Sequence, residues 1–211
     1  MSNCTAAAAV LPTLTYFNTA GRAFPLRVAL FKAFGKDGWV DERIMFDQWR
    51  ALKEKTPLGS LPYLTLGDGI THVAQSDALA RWAGRHSGLY PQDPTAALLC
   101  DEVCSTAMEI LSKCPPAAGE EGKMARDEYS KGFMAKAFGM LESKVQDNGW
   151  FVGDDLSLAD LTAYGIINMV ATDDFSYIPG SYVDTYPKLK AHQDSVVSHP
   201  LVVDYLNQYP N

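Results

Sequence analysis

Tyr16 closes a short β-branched and aromatic run, Thr13 to Phe17, just before a glycine-containing turn, and Arg22 follows six residues later. A phenol at a strand end either packs into the core or offers its hydroxyl as a donor to an anion. An arginine at a helix start opposes the helix dipole, which makes a merely solvated role less natural. Trp49 and Lys53 are four residues apart, one turn if the segment is helical; the bland alternative is a packed Trp beside a solvated Lys. Gln75 and Ser76 precede the apolar-periodic segment Asp77 to Ala83. That makes Ser76 a candidate N-cap and the N–H groups behind it a small anion site. Pro62 interrupts the apolar run Leu61 to Leu66, marking an edge strand, a bend or a cis bond. A bent backbone facing a helix N-terminus suits an extended, anionic, peptide-like ligand.

The elements that must position these groups are legible in outline. Leu61 to Leu66 and Ile70 to Ala74 flank Gly67-Asp68-Gly69, the strongest short-range hairpin signal. Thr13 to Phe17 reads as a strand, Arg22 to Gly35 as a helix with Pro25 in its first turn, and Trp39 to Phe46 as a second strand. Asp47 to Lys55 reads as a short helix or loop. SGLYPQDP, Ser87 to Pro94, has two prolines, a glycine and no periodicity, and reads as a linker. Everything beyond it is helical in pattern. Ala96 to Lys113 places Leu99, Val103, Ala107, Ile110 and Leu111 on one stripe, and CPP with AAGEEG stops it. Further helices are expected at about Met124 to Gln146, Leu156 to Val170, Tyr186 to Ser198 and after His199-Pro200, the third with Ser157 and Asp160 as a capping box. The fold class is therefore α/β followed by all-α, with units at 12–87 and 95–211, a linker at 88–94 and a tail at 1–11.

Composition narrows the function classes. The 211 residues carry a net charge of −7, which argues against nucleic acid or an anionic membrane as main partner. The four cysteines, Cys4, Cys100, Cys104 and Cys114, show no disulfide framework, pointing to a reducing, cytoplasmic setting. Cys100 and Cys104 are one helical turn apart but lack further ligands at metal spacing, so packed thiols are expected and no metal. No apolar run reaches membrane-spanning length. The Ala-rich Met1 to Leu11 lacks a basic region and reads as a frayed tail rather than a signal peptide.

TYF at Thr15 to Phe17, GRAFPLR at Gly21 to Arg27 and DQWRALKEKTPLGSLPYL at Asp47 to Leu64 resemble the cytosolic glutathione transferases. HVAQSDALARWAGR at His72 to Arg85 and FVGDDLSLADLTAYG at Phe151 to Gly165 extend the resemblance over nearly the whole chain. It is closest to the sigma class, which includes glutathione-dependent prostaglandin D isomerases. The resemblance implies a thioredoxin-like domain followed by an all-helical domain. No C-x-x-C follows the first strand, so dithiol exchange has no support.

The resemblance also implies roles. Tyr16 would donate its hydroxyl to the glutathione sulfur, and Arg22 would favour the thiolate as a fixed cation. One hydrogen bond to a charged acceptor, about 1.5–3 kcal/mol, lowers a thiol pKa by roughly one to two units. Trp49 and Lys53 would meet the glycine carboxylate, with Ser60 a shorter stand-in for the usual Gln or Lys. Leu61, before Pro62, would pair its backbone with the cysteinyl unit as an added strand. Gln75 and Ser76 would grip the γ-glutamyl carboxylate. Asp101 would reach the γ-glutamyl amino group of a second subunit, implying a homodimer, although a helix-start acid needs no such role. Asp77 stands where the class usually has an apolar residue, and helix capping or an amino-group contact are both open. The acceptor pocket would draw on Phe17, Ala20, Ala107, Met108, Leu111 and Tyr164. The leading expectation is detoxifying conjugation of glutathione to hydrophobic electrophiles. The alternatives are a glutathione-dependent isomerase and a non-catalytic binder or crystallin-like relative.

Overall fold

The computed structural model describes residues 10–209, so most of the expected tail, Cys4 included, lies outside the described residues. The chain begins β1 (Thr13–Phe17), a 3₁₀ turn (Gly21–Ala23), α1 (Phe24–Phe34) and β2 (Val40–Ile44). There follow α2 (Phe46–Leu52), 3₁₀ turns at Lys53–Lys55 and Pro57–Gly59, β3 (Tyr63–Thr65), β4 (His72–Ala74) and α3 (Ser76–Ser87). The sheet runs β2-β1-β3-β4, with β1 and β2 parallel and the other neighbours antiparallel. The parallel pair needs a crossover, and α1 supplies it. The expected hairpin is present and shorter: Asp68 accepts from the backbone N–H groups of Ile70 and Thr71, tightening the turn.

Six further helices follow: α4 (Pro94–Ser112), α5 (Gly119–Tyr129), α6 (Ala135–Lys144), α7 (Leu158–Ala171), α8 (Pro187–Ser198) and α9 (Pro200–Gln208). Asp93 caps α4 by accepting from Thr95 and Ala96 N–H. None of the helices among the described residues is long and apolar enough to cross a membrane.

Three expectations are corrected. The first helix starts at Phe24 rather than Arg22, because Gly21 at φ 39 turns the chain and leaves Arg22 in the 3₁₀ turn. The expected helix Met124 to Gln146 begins at Gly119 and is widened by a π-turn at Ser130–Met134. Tyr182 and Tyr186 hydroxyls donate to the carbonyls of Ser130 and Ala135, satisfying backbone around the widened turn. On α4, Leu99 is exposed, and Cys100, Val103, Cys104, Ala107 and Ile110 form the buried face. Val103, Ala107 and Ile110 stay on the buried face as expected, and the face extends to Cys100 and Cys104 on the side away from Leu99.

The buried side chains form two clusters, one under the sheet and α1, the other among α4 to α8. Helix α7 contributes to both and is buried almost all round, as its nearly unbroken apolar sequence requires. It also contacts both α1 and α4. Its start is held by Asp160, fully buried, which accepts from Ser157 N–H at 2.8 Å, Ser157 Oγ at 2.5 Å and Phe151 N–H at 2.9 Å. His192 Nε2 lies 3.0 Å from its other face, tying α8 to the same carboxylate. The Ser157/Asp160 capping box is present as expected. Asp160→Asn keeps the shape but replaces one acceptor oxygen by an NH2 donor that faces N–H or O–H groups. We expect a loss of at least about 3 kcal/mol, read by urea unfolding; a loss below about 1 kcal/mol would refute this account of the α7 start.

Candidate active site

The interior strand β1 delivers Tyr16 near its C-terminal end, with 8% of its surface exposed. Its hydroxyl oxygen accepts from the Arg22 backbone N–H at 3.3 Å. The reason for Gly21 is steric: a Cβ there would stand 2.8 Å from the Tyr16 hydroxyl, at φ 39, in the left-handed region. Burial pushes the Tyr16 phenol above its ordinary pKa, against the smaller opposing pull of the Arg22 N–H and the Arg22 and Arg27 charges. At neutral pH the group is a protonated donor whose oxygen is already held from one side.

The turn carrying Gly21 and Arg22 is pinned by Arg27, on the buried face of α1. Its guanidinium donates to Asp41 at 2.9 Å and to the carbonyls of Thr19 at 2.5 Å and Phe17 at 3.1 Å. Arg27 is 1% exposed, so these partners replace its water. Residue type and spacing alone assign Arg27 no role. An arginine between Leu26 and Val28 on an apolar helix was the available signal.

Two concavities flank the Tyr16–Arg22 pair, Arg22 lining one and Tyr16 the other. One is a groove of about 390 Å³ bounded by Arg22, Leu58, Ser60, Leu61, Pro62, Gln75 and Ser76. The Leu61–Pro62 bond is cis. Gln75 rather than Ser76 is the N-cap of α3, so Ser76 is its first residue; no side chain caps this end, leaving its N–H groups toward the groove side. Gln75 sits at φ 76, a conformation costing of order 1–3 kcal/mol in a non-glycine residue and typical of functional sites. The groove therefore brings together Arg22, Ser60, Leu61, Pro62, Gln75 and Ser76. Trp49 and Lys53 lie beyond its lining. Lys53 N–H bonds to Trp49 carbonyl, confirming the single turn, and the Trp49 ring packs edge-on to Phe17 at 5.9 Å.

The other is a cavity of about 430 Å³ between the β1 end, α7 and the α4 end. Tyr16, Phe17, Ala20, Leu111 and Tyr164 line it, with Phe46 and Leu206. Two acceptor-pocket expectations fail. Ala107 is fully buried in the helical core, on the same apolar face of α4 as Val103 and Ile110. Met108 faces a separate small void with Arg22, Asp77 and Arg81, and its Sδ lies 3.6 Å from Arg22 Nη1. Unforeseen lining comes from Asn168, Met169 and Asp174. Asn168 is one turn beyond Tyr164, a spacing that could have found it; Asp174 follows the end of α7 and had no local signal.

Asp101 is engaged within its own chain, 2.6 Å from Arg81 Nε and 3.1 Å from the Tyr90 hydroxyl. Burial raises the Asp77 carboxyl, opposed by the Arg81 and Arg22 charges. Cys104 is a packed thiol, raised by its Cys100 neighbour and by burial.

Residues 107–209 match the family model described as "Glutathione S-transferase, C-terminal domain". The chain is 30% identical over 199 residues to hematopoietic prostaglandin D synthase of Gallus gallus, covering 93% of this chain and 96% of the relative. It is 29% identical over 206 residues to S-crystallin SL11 of Nototodarus sloanii, at 94% and 97% coverage. The solved structure of prostaglandin synthase D of Nilaparvata lugens superposes with a TM-score of 0.81 at 27% identity, covering 95% and 99%. The chain belongs to the cytosolic glutathione transferase family, on its sigma-class side, and has that family's fold: a thioredoxin-like domain followed by a helical one.

Replacing Arg27 by Met should cost about 3–5 kcal/mol, since it leaves Asp41 short of a buried partner and frees the Phe17 and Thr19 carbonyls. Urea unfolding together with faster amide exchange at residues 19–22 would show it; unchanged exchange there would sink the pinning role. Alkaline titration gives a second check. Burial raises Tyr16 and Tyr164, and raises Tyr205 to about 12. The fold thus holds these protons more tightly than the unfolded chain, so their contribution to stability is complete below pH ~10 and is lost as pH rises beyond it. Near-ultraviolet tyrosinate absorbance should show fewer than the chain's 10 tyrosines ionising near the ordinary value, the rest ionising only with unfolding.

Proposed function

We propose that the protein is an active glutathione transferase that binds glutathione in the groove and conjugates it to hydrophobic electrophiles held in the adjoining cavity. The observation carrying this reading is the Tyr16 hydroxyl: protonated, lining the cavity, and steadied by the backbone N–H of Arg22, a residue that lines the groove. In this reading Gln75, Ser76 and the free end of α3 receive the γ-glutamyl carboxylate, and the Leu61 backbone pairs with the cysteinyl unit. Trp49, Lys53 and Ser60 serve the glycine end. Residues 12–87 form the glutathione-binding unit and 95–211 most of the acceptor side, in a cytoplasmic protein. Asp101 reaches a second subunit's ligand only in a homodimer and only by sharing its carboxylate with Arg81 and Tyr90.

The thiol proton leaves to solvent and the Tyr16 O–H donates to the resulting thiolate, with the Arg22 charge adding stabilisation. The sulfur lone pair then forms the C–S bond while the leaving group departs with its bonding pair. No metal enters the step. A second reading is favoured by the names of two relatives matched over nearly their whole length, both prostaglandin D synthases. There the same thiolate would add to a substrate and later be expelled, making an isomerase. The S-crystallin relative marks a third possibility, a binder without turnover.

With chlorodinitrobenzene as acceptor, Tyr16→Phe should lower kcat/KM about 10–100-fold, the loss of one charge-assisted hydrogen bond to the thiolate. An unchanged rate would overturn the role of Tyr16. Retention on immobilised glutathione without turnover of any acceptor would instead favour the binder.

A further inference from the structure

The acceptor cavity is electrically one-sided. Its wall follows α7 from Gly165, where a Cβ would lie 3.6 Å from the Gly21 carbonyl, past Asn168 and Met169 to Asp174 beyond the helix end. At ~1.5 Å per residue, the helix end lies roughly 9 Å from the Gly165 level, at the opposite end from the reacting hydroxyl. Asp174 is exposed and ionisable at that far end, with Thr172 Oγ1 donating to it at 3.2 Å. The carbonyl end of α7 adds a partial negative charge in the same place. No Lys, Arg or His lines the cavity among the described residues. Its remaining titratable groups, Tyr16 and Tyr164, have pKa values raised by burial and stay neutral. Arg126 reaches the neighbouring segment, but its guanidinium is held by the carbonyls of Pro115 and Ser176 and does not line the cavity.

We propose that Asp174 sets acceptor specificity, so that the cavity takes hydrophobic electrophiles with a neutral or cationic tail and rejects those bearing a carboxylate. This rests on the transferase reading above. It also bears on the isomerase alternative, because a long-chain carboxylic acid would have to place its anion away from this end or against Asp174. A single unit charge about 10 Å away at a partly screened surface is worth roughly fivefold to tenfold in affinity.

The test uses three chloronitrobenzene acceptors alike except for a carboxamide, a carboxylate or a trimethylammonium group, each rate divided by its rate with free glutathione. For the wild-type chain the carboxylate should fall about tenfold below the carboxamide, with the ammonium at or above it. Asp174→Asn should close that gap to about twofold, and Asp174→Lys should reverse the order. In parallel, tryptophan fluorescence titration with the dechlorinated compounds reads the same preference as affinity, without turnover. Equal treatment of carboxamide and carboxylate, or a gap untouched by Asp174→Asn, overturns the proposal while leaving transferase activity standing. Absence of turnover with all three, alongside a charge preference in binding, overturns the transferase reading and leaves the specificity of the cavity standing.

Discussion

The Arg27 guanidinium lies under the end of β1 and joins three stretches of backbone that the active-site turn needs in one place. Through Asp41 it reaches the parallel strand β2; through the Phe17 and Thr19 carbonyls it fixes the chain just after Tyr16. Removing a guanidinium from water is expensive, so the geometry is tolerable only with all three acceptors in place. The same three acceptors leave the turn little freedom. Gly21 then approaches the Tyr16 hydroxyl more closely than any side chain would allow, and the Arg22 N–H is aimed at it. Much of what the Tyr16 site can do follows from this buried cation.

A second constraint comes from α7. Because it is buried nearly all round, it cannot move without opening both apolar clusters, and Asp160 anchors its start to α8. The cavity wall it provides is therefore rigid along most of its length and ends in exposed polar chain. Function is arranged accordingly: a cation and an uncapped helix start on the groove side, a neutral phenol beside them, and negative charge at the far end of the cavity. Such an arrangement gives the groove and the cavity opposite signs of charge.

Where sequence reading and structure part company, the causes are specific. Ser76 looked like an N-cap by residue type, yet Gln75 takes that place at positive φ, because the groove and not local preference decides the entry of α3. Ala107 and Met108 looked like pocket lining. Ala107 instead packs in the helical core with Val103 and Ile110, and Met108 turns toward Arg22. Helix periodicity alone cannot fix the helix's rotation about its axis when Cys, Ala and Met compete with Leu for the buried face. Apart from Arg22, the groove residues come from one contiguous segment, 58–76, whose turn signals are strong.

The sequence alone determined the order of elements, the hairpin, the Ser157/Asp160 cap and the presence of a phenol at the end of β1, because each is encoded within a few neighbouring residues. Tertiary structure decided that Arg27 is buried, that the phenol lines the cavity beside a groove-lining Arg22, and that Asp174 lines the same cavity. Those facts join β1 and α1 to chain nearly 150 residues later, and no local periodicity carries the distance between them.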